Sequence, residues 1–155
     1  MERSDVQQAL GRCELFRDLE EKEIRALGSL GRMKTYRAGE TIFRQGDLGE
    51  HLYVVAEGQV FLERTVDLDA RQGNVTIGIL GVGRALGSWS TLLGEPHILM
   101  SSALCPKKTR IVVLKGAQVR EMMLEDTCMG FSVMQRLCFL LRDRIEGAYG
   151  ALEKV

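Results

Sequence analysis

The chain is short of several things that would announce a function. Its charge is balanced, with 21 Lys plus Arg against 21 Asp plus Glu in 155 residues, so no electrostatic footprint for nucleic acid or an anionic membrane is present. It has only two histidines, and its four cysteines (Cys13, Cys105, Cys128, Cys138) form no CxxC pair. That argues against a zinc site, leaves an iron–sulfur cluster only through spatial convergence, and leads us to expect no metal. No Ser-His-Asp or Cys-His arrangement is readable from spacing, so an enzyme is not expected. No apolar run approaches the ~18 residues that span a bilayer. The opening MERSDVQQAL is too polar for a signal peptide, and the expected setting is cytoplasmic with reduced thiols. Proline is nearly absent, with two in the chain, so strands run mostly uninterrupted.

What is present is 45% hydrophobic residues, enough for a core, and 17 glycines placed as punctuation. The whole chain, 1–155, reads as one domain in three textures. Residues 1–31 are helical: 4–11 with Ser4 as N-cap, then LEEKEIRALGSL with acidic residues in its first turn. Residues 32–114 alternate short β-prone runs with turns: MKTYR, TIFRQ, HLYVV, QVFLERTV, NVTIGIL, HILMSSAL and RIVVL. Gly46-Asp47, Glu57-Gly58 and Gly73-Asn74 are among the turn signals, and Gly46 and Gly58 suit positive φ. The continuously apolar Leu52–Val55 predicts a strand buried on both faces, and Val75, Ile77 and Ile79 predict a half-buried one. Residues 116–153 are helical again, as a short amphipathic helix and then one of roughly 25 residues. The latter carries two apolar stripes: Val133, Leu137, Leu141, Ile145, Ala148 and Leu152, and Phe131, Met134 and Cys138. Two stripes call for two packing surfaces, the domain itself and a second copy, unless one larger core buries both. Gly147 and Gly150 predict fraying after Ile145.

The stretch RAGETIFRQGDLGEHLYVVAEGQV, residues 37–60, is where a resemblance becomes specific. Gly39, Gly46-Asp47, Gly49, the apolar Leu52–Val55 and Gly58 resemble, almost position by position, the first motif of the cyclic-nucleotide-binding domain family. Members include the sensor half of catabolite activator protein and the regulatory subunits of protein kinase A. The resemblance covers about residues 12–150. It implies a mainly β fold with flanking helices: an eight-stranded antiparallel jelly-roll barrel, a cassette helix at 86–93 and a long C-terminal helix.

In that family a phosphate-binding cassette reads F-G-E-L, short helix, R-x-A-[ST]. Helix N-terminal amides and the arginine take the phosphate, and the glutamate takes the ribose hydroxyl. Leu86-Gly87-Ser88-Trp89 stands on F-G-E-L here, so Ser88 replaces the glutamate. Counting forward puts His97 on the arginine. Counting back from RIVVL puts Leu99 there, with Ser101-Ser102 on A-[ST], which implies a two-residue insertion in HILM. The arginine is absent under either count. Losing two charge-assisted contacts weakens binding by roughly 3–6 kcal/mol. Candidate substitutes are Arg84, His97, and the hydroxyls of Ser88, Ser90, Thr91, Ser101 and Ser102. Trp89 either stacks on a base or caps the sheet.

The resemblance therefore implies a non-enzymatic regulatory module for a small molecule, either cAMP or cGMP at a weakened site or a substitute. It would signal through a homodimer helix at 129–152, with a protein partner unidentified. No direct nucleic-acid contact and no membrane are expected. Two other readings stand beside it: the sensor part of a transcription regulator without its DNA-binding part, and a ligand-free protein-interaction module. Haem-sensing relatives direct attention to Cys105-Pro106, but a strand end followed by a turn accounts for that pair.

Overall fold

The computed structural model describes residues 2–87, 92–95 and 97–153. Helix α1 spans Glu2–Gly11, so Ser4 lies inside its first turn instead of capping it. Helix α2, Glu21–Gly28, is shorter than the expected span because its caps are local. The Glu20 N–H donates to Glu23 Oε1 at 2.9 Å, and the Ser29 hydroxyl donates to the Ala26 carbonyl at 2.6 Å. Acidic Glu21 and Glu23 sit at its positive end.

Ten strands follow among the described residues: β1 Arg32–Tyr36, β2 Thr41–Phe43, β3 Leu48–Gly49, β4 His51–Glu57, β5 Val60–Leu68, β6 Arg71–Leu80, β7 Ala85–Leu86, β8 His97–Ile98, β9 Ser102–Leu104 and β10 Thr109–Lys115. They pair antiparallel as β1-β10-β4-β7, as β2-β9-β5-β6 and as a ribbon β3-β8. The seven expected runs all contain strands. The run HILMSSAL divides into β8 and β9, and β3 and β7, at two residues each, are too short to carry a period.

Two expectations about the β5–β6 hairpin are corrected. Its turn is Asp69-Ala70, since Leu68 pairs with Arg71 and Asp69 has φ 54°, which a short polar side chain tolerates. Gly73 and Asn74 lie within β6, where Asn74 Oδ1 accepts from the Thr65 hydroxyl at 2.9 Å across the pair. Val75, Ile77 and Ile79 are 47%, 56% and 57% exposed: Ile79 faces away from the buried Leu80, and the β5–β6 register shifts between Leu62 and Glu63, which breaks the expected alternation.

The core has two parts separated by the β1-β10-β4-β7 sheet. Alternation decides which residue enters which. Leu52, Val54, Val112 and Leu114 pack with Leu10, Phe16, Leu27, Met129 and Val133 on the helical side. Val55, Ile111 and Val113 pack with Phe43, Val60, Leu86 and Leu99 inside the roll. This is why HLYVV and RIVVL read as continuous apolar runs. At the β4–β5 turn Gly58 has φ +98°, and an added Cβ would lie 2.5 Å from the Thr109 Oγ1. Thr109 is fully buried, and its Oγ1 accepts from the Gln59 N–H at 3.3 Å.

Helix α3 spans Gly116–Glu125 and α4 spans Thr127–Glu153. The α4 helix continues past Ile145, because a glycine costs only about 1 kcal/mol in a helix and does not end one. The two stripes are also redistributed. Met129, Val133 and Leu137 are buried against the domain and Leu141 is partly buried, whereas Ile145 and Ala148 join Phe131 and Cys138 on an exposed side. No helix among the described residues is long and apolar enough to cross a membrane.

Cys13 sits in the helical-side core, and burial pushes its thiol from the ordinary 9.0 up to about 12. The unfolded chain ionises this thiol first, so its contribution to stability is complete below pH 9.0 and declines as pH rises toward about 12. Urea denaturation at pH 8 and pH 10.5 is expected to show a steeper loss for the native chain than for Cys13→Ala.

Candidate ligand-binding site

At the end of β7 the chain turns at Gly87, with φ +77°. A Cβ there would lie 2.5 Å from the His51 carbonyl oxygen, so this turn passes β4 at a distance only glycine allows. The β3–β8 ribbon sets His97 opposite Gly49. The following residue, Leu99, is held on both sides: its N–H donates to the Asp47 carbonyl at 2.8 Å, and its carbonyl accepts from the Gly46 N–H at 2.9 Å. These segments enclose a cavity of about 250 Å³. Its walls are Phe43, Leu62, Ile77, Leu80, Ala85, Leu86, Leu99 and Met100, and its polar lining is Gly87, His97, Ser101, Arg64 and Arg144.

Of the residues singled out in the sequence, Leu86, Gly87, His97, Leu99 and Ser101 thus come together. Arg84 does not. Its Nε lies 2.9 Å from Glu14 Oε2 as a coulombic pair without hydrogen-bond alignment, and Glu14 Oε1 accepts from the Ala85 N–H at 3.1 Å. Arg84 therefore fastens the N-terminal segment to β7. Ser102 is spent on structure as well, its hydroxyl oxygen accepting from the Gln45 N–H at 2.9 Å. Ser88, Trp89, Ser90 and Thr91 lie outside the described residues, and with them most of the helix expected over 86–93. Leu86, its expected first residue, is strand. Beyond that segment Leu92 is buried in the helical-side core, and its carbonyl accepts from Arg120 Nη1 of α3 at 2.6 Å.

Cys105 follows β9 in the roll core, away from the cavity lining, with its N–H donating to the Glu40 carbonyl at 2.9 Å. Burial, ahead of smaller effects, raises its thiol pKa and keeps it protonated. A wider open groove of about 700 Å³ lies against α3, lined by Leu48, His51, Glu95, Lys115, Arg120 and Glu121 among others. It mixes both charge signs and contains none of the residues the cassette reading selected. No group of three or more His, Cys, Asp or Glu suited to a metal occurs among the described residues.

Two cavity residues escaped the sequence reading, Arg64 on β5 and Arg144 on α4. A signal was there all the same. Arg64 shares a face with Val60 and Leu62, which pack inside the roll. Arg144 continues the stripe Val133, Leu137, Leu141 at helical steps of three and four.

Comparison with known proteins bears on the family and the fold. Residues 33–126 match the family model described as "Cyclic nucleotide-binding domain". The chain is 40% identical over 100 residues to the cyclic AMP receptor protein of Thermus thermophilus, covering 64% of this chain and 44% of the relative. It is 29% identical over 98 residues to a cAMP-dependent protein kinase regulatory subunit of Blastocladiella emersonii, covering 62% and 23%. The chain thus spans less than half the length of either relative. Among solved structures, a cyclic nucleotide-binding domain from Methylobacillus flagellatus superposes with TM-score 0.80 at 22% identity over 99% of this chain and 84% of that one. The Thermus thermophilus catabolite activator protein gives TM-score 0.71 at 32% identity, covering 90% and 62%.

Proposed function

Because this chain belongs to the cyclic nucleotide-binding domain family, we propose that it is a regulatory module in which a small molecule fills the roll cavity and repositions α4. The observation that carries this reading is the cavity itself, bounded at once by the cassette segment, by β5 and by Arg144 of α4. An occupant that touches Arg144 contributes differently to docked and undocked α4, and that difference is what a ligand needs to shift an equilibrium. Ser88 in place of the cassette glutamate, and His97 or Leu99 in place of its arginine, favour a substitute ligand over cAMP or cGMP.

A thermal-shift panel tests this. A ligand at about 100 times its Kd adds about 2.7 kcal/mol, or roughly 5–11 °C here. With about 1 mM cAMP or cGMP we expect less than about 2 °C, corresponding to occupancy below that level. A shift in the 5–11 °C range with cAMP would show that amides and hydroxyls replace the missing charges and would remove the substitute ligand.

The module is further proposed to act as a homodimer through α4. Phe131 and Ile145 are 68% and 53% exposed, and Phe131, Cys138 and Ile145 recur every seven residues, the spacing of a helix-pair seam. Sedimentation of the chain is expected to give a dimer, and the double variant Phe131→Glu, Ile145→Glu a folded monomer. A monomeric native chain would refute the seam. A second reading, the sensor part of a longer transcription regulator, is supported by the 44% share of the Thermus thermophilus receptor that is matched. A helix-turn-helix encoded downstream of residue 155 in the natural reading frame would decide for it.

A further inference from the structure

Resting on that reading of the cavity, we propose that its ligand is a small anion with an apolar body, and that the anion is held by Arg64 and Arg144 instead of by the cassette. The starting point is the charge of the lining. Two guanidiniums and no carboxylate line the cavity among the described residues. The walls beside them are aliphatic and aromatic, and both arginine side chains are themselves exposed, at the rim of that apolar space.

Four other arginines have a carboxylate at hand among the described residues. Arg84 pairs with Glu14, Arg110 with Asp5 and Glu57, Arg37 with Glu40, and Arg142 with Asp143. Arg64 and Arg144 have no ion-pair partner among the described residues. For Arg64 the recorded contact is a long one, Nη1 donating to the Met100 carbonyl at 3.4 Å. Both guanidiniums thus keep donors to offer, in a planar fork that matches the two oxygens of a carboxylate or phosphate. Arg64 lies on the same face of β5 as Val60 and Leu62, and Arg144 lies one turn beyond the partly buried Leu141 of α4.

The arrangement has two consequences. No carboxylate among the described lining residues is available to accept a ribose hydroxyl, so the apolar body need not carry a sugar. One anchor lies on the β-roll and the other on α4, so an anion bridging them joins the two, and its charge rather than its bulk draws the helix in.

The test uses calorimetric titration of the full chain with 1-naphthoate and with its neutral counterpart 1-naphthylmethanol. Three variants accompany it: Arg64→Gln, Arg144→Gln, and Ser101→Phe, which fills the cavity. Both arginines are at least partly exposed, so the glutamine variants should fold. We expect naphthoate to bind at least about tenfold more tightly than the alcohol, as one charge-assisted contact provides. Each glutamine variant should remove about tenfold of the naphthoate affinity and leave the alcohol unchanged. Equal binding of both probes, insensitive to either arginine but abolished by Ser101→Phe, would overturn the anion anchor and leave the ligand cavity standing. An effect at only one arginine would overturn the shared grip. If neither probe binds, or binding is indifferent to Ser101→Phe, the cavity reading and this proposal fall together.

Discussion

Gly87→Ala is expected to lower the melting temperature by about 5–15 °C and to abolish binding in the roll cavity. Two costs add. A side chain at φ +77° is strained by about 1–2 kcal/mol. The new Cβ would also lie 2.5 Å from the His51 carbonyl oxygen, which is backbone and already part of a sheet strand, so relief requires β4 and β7 to separate. Overpacking of this kind costs about 1–3 kcal/mol. The cavity suffers directly, because Gly87 and its neighbour Leu86 both line it. Gly81→Ala is the control: nothing lies within 4 Å of its added Cβ, and its melting point should change by no more than about 2 °C. Melting curves of the two variants that coincide would remove the close approach from the account of this turn.

Phe16→Ala is expected to cost about 3–5 kcal/mol, roughly 6–20 °C in melting temperature. Phe16 is fully buried and is among the largest side chains in the helical-side core, which joins α1, α2, the β1-β10-β4-β7 sheet, α3 and α4. Its removal leaves a cavity where elements far apart in sequence meet, so little local collapse can fill it. Phe16→Leu, which keeps most of the volume, should lose less than half as much. If calorimetry found the alanine variant within about 1 kcal/mol of the native chain, the N-terminal helices would be folding apart from the roll.

What the sequence by itself determined is the part governed by local chemistry. Short β-prone runs, positive-φ glycines such as Gly46 and Gly58, and the doubly apolar Leu52–Val55 were enough to indicate a glycine-punctuated β domain with helices at both ends, and the family resemblance of residues 37–60 named it a jelly roll. Leu86, Gly87, His97, Leu99 and Ser101 were selected through the family resemblance, and they line one cavity. What only the tertiary structure decided depends on which face meets which neighbour. Alternation marks one face of β6 as apolar, but the register shift opposite Leu62 and Glu63 breaks that alternation, and Val75 and Ile79 are left exposed. Arg84 sits beside the cassette in sequence, yet Glu14, distant along the chain, takes it. Arg64 and Arg144 are 80 positions apart, and no local pattern brings them to one cavity. Charges interact through space while the chain orders them along a line, so the groups that could hold a ligand emerge only when β5 and α4 are packed together.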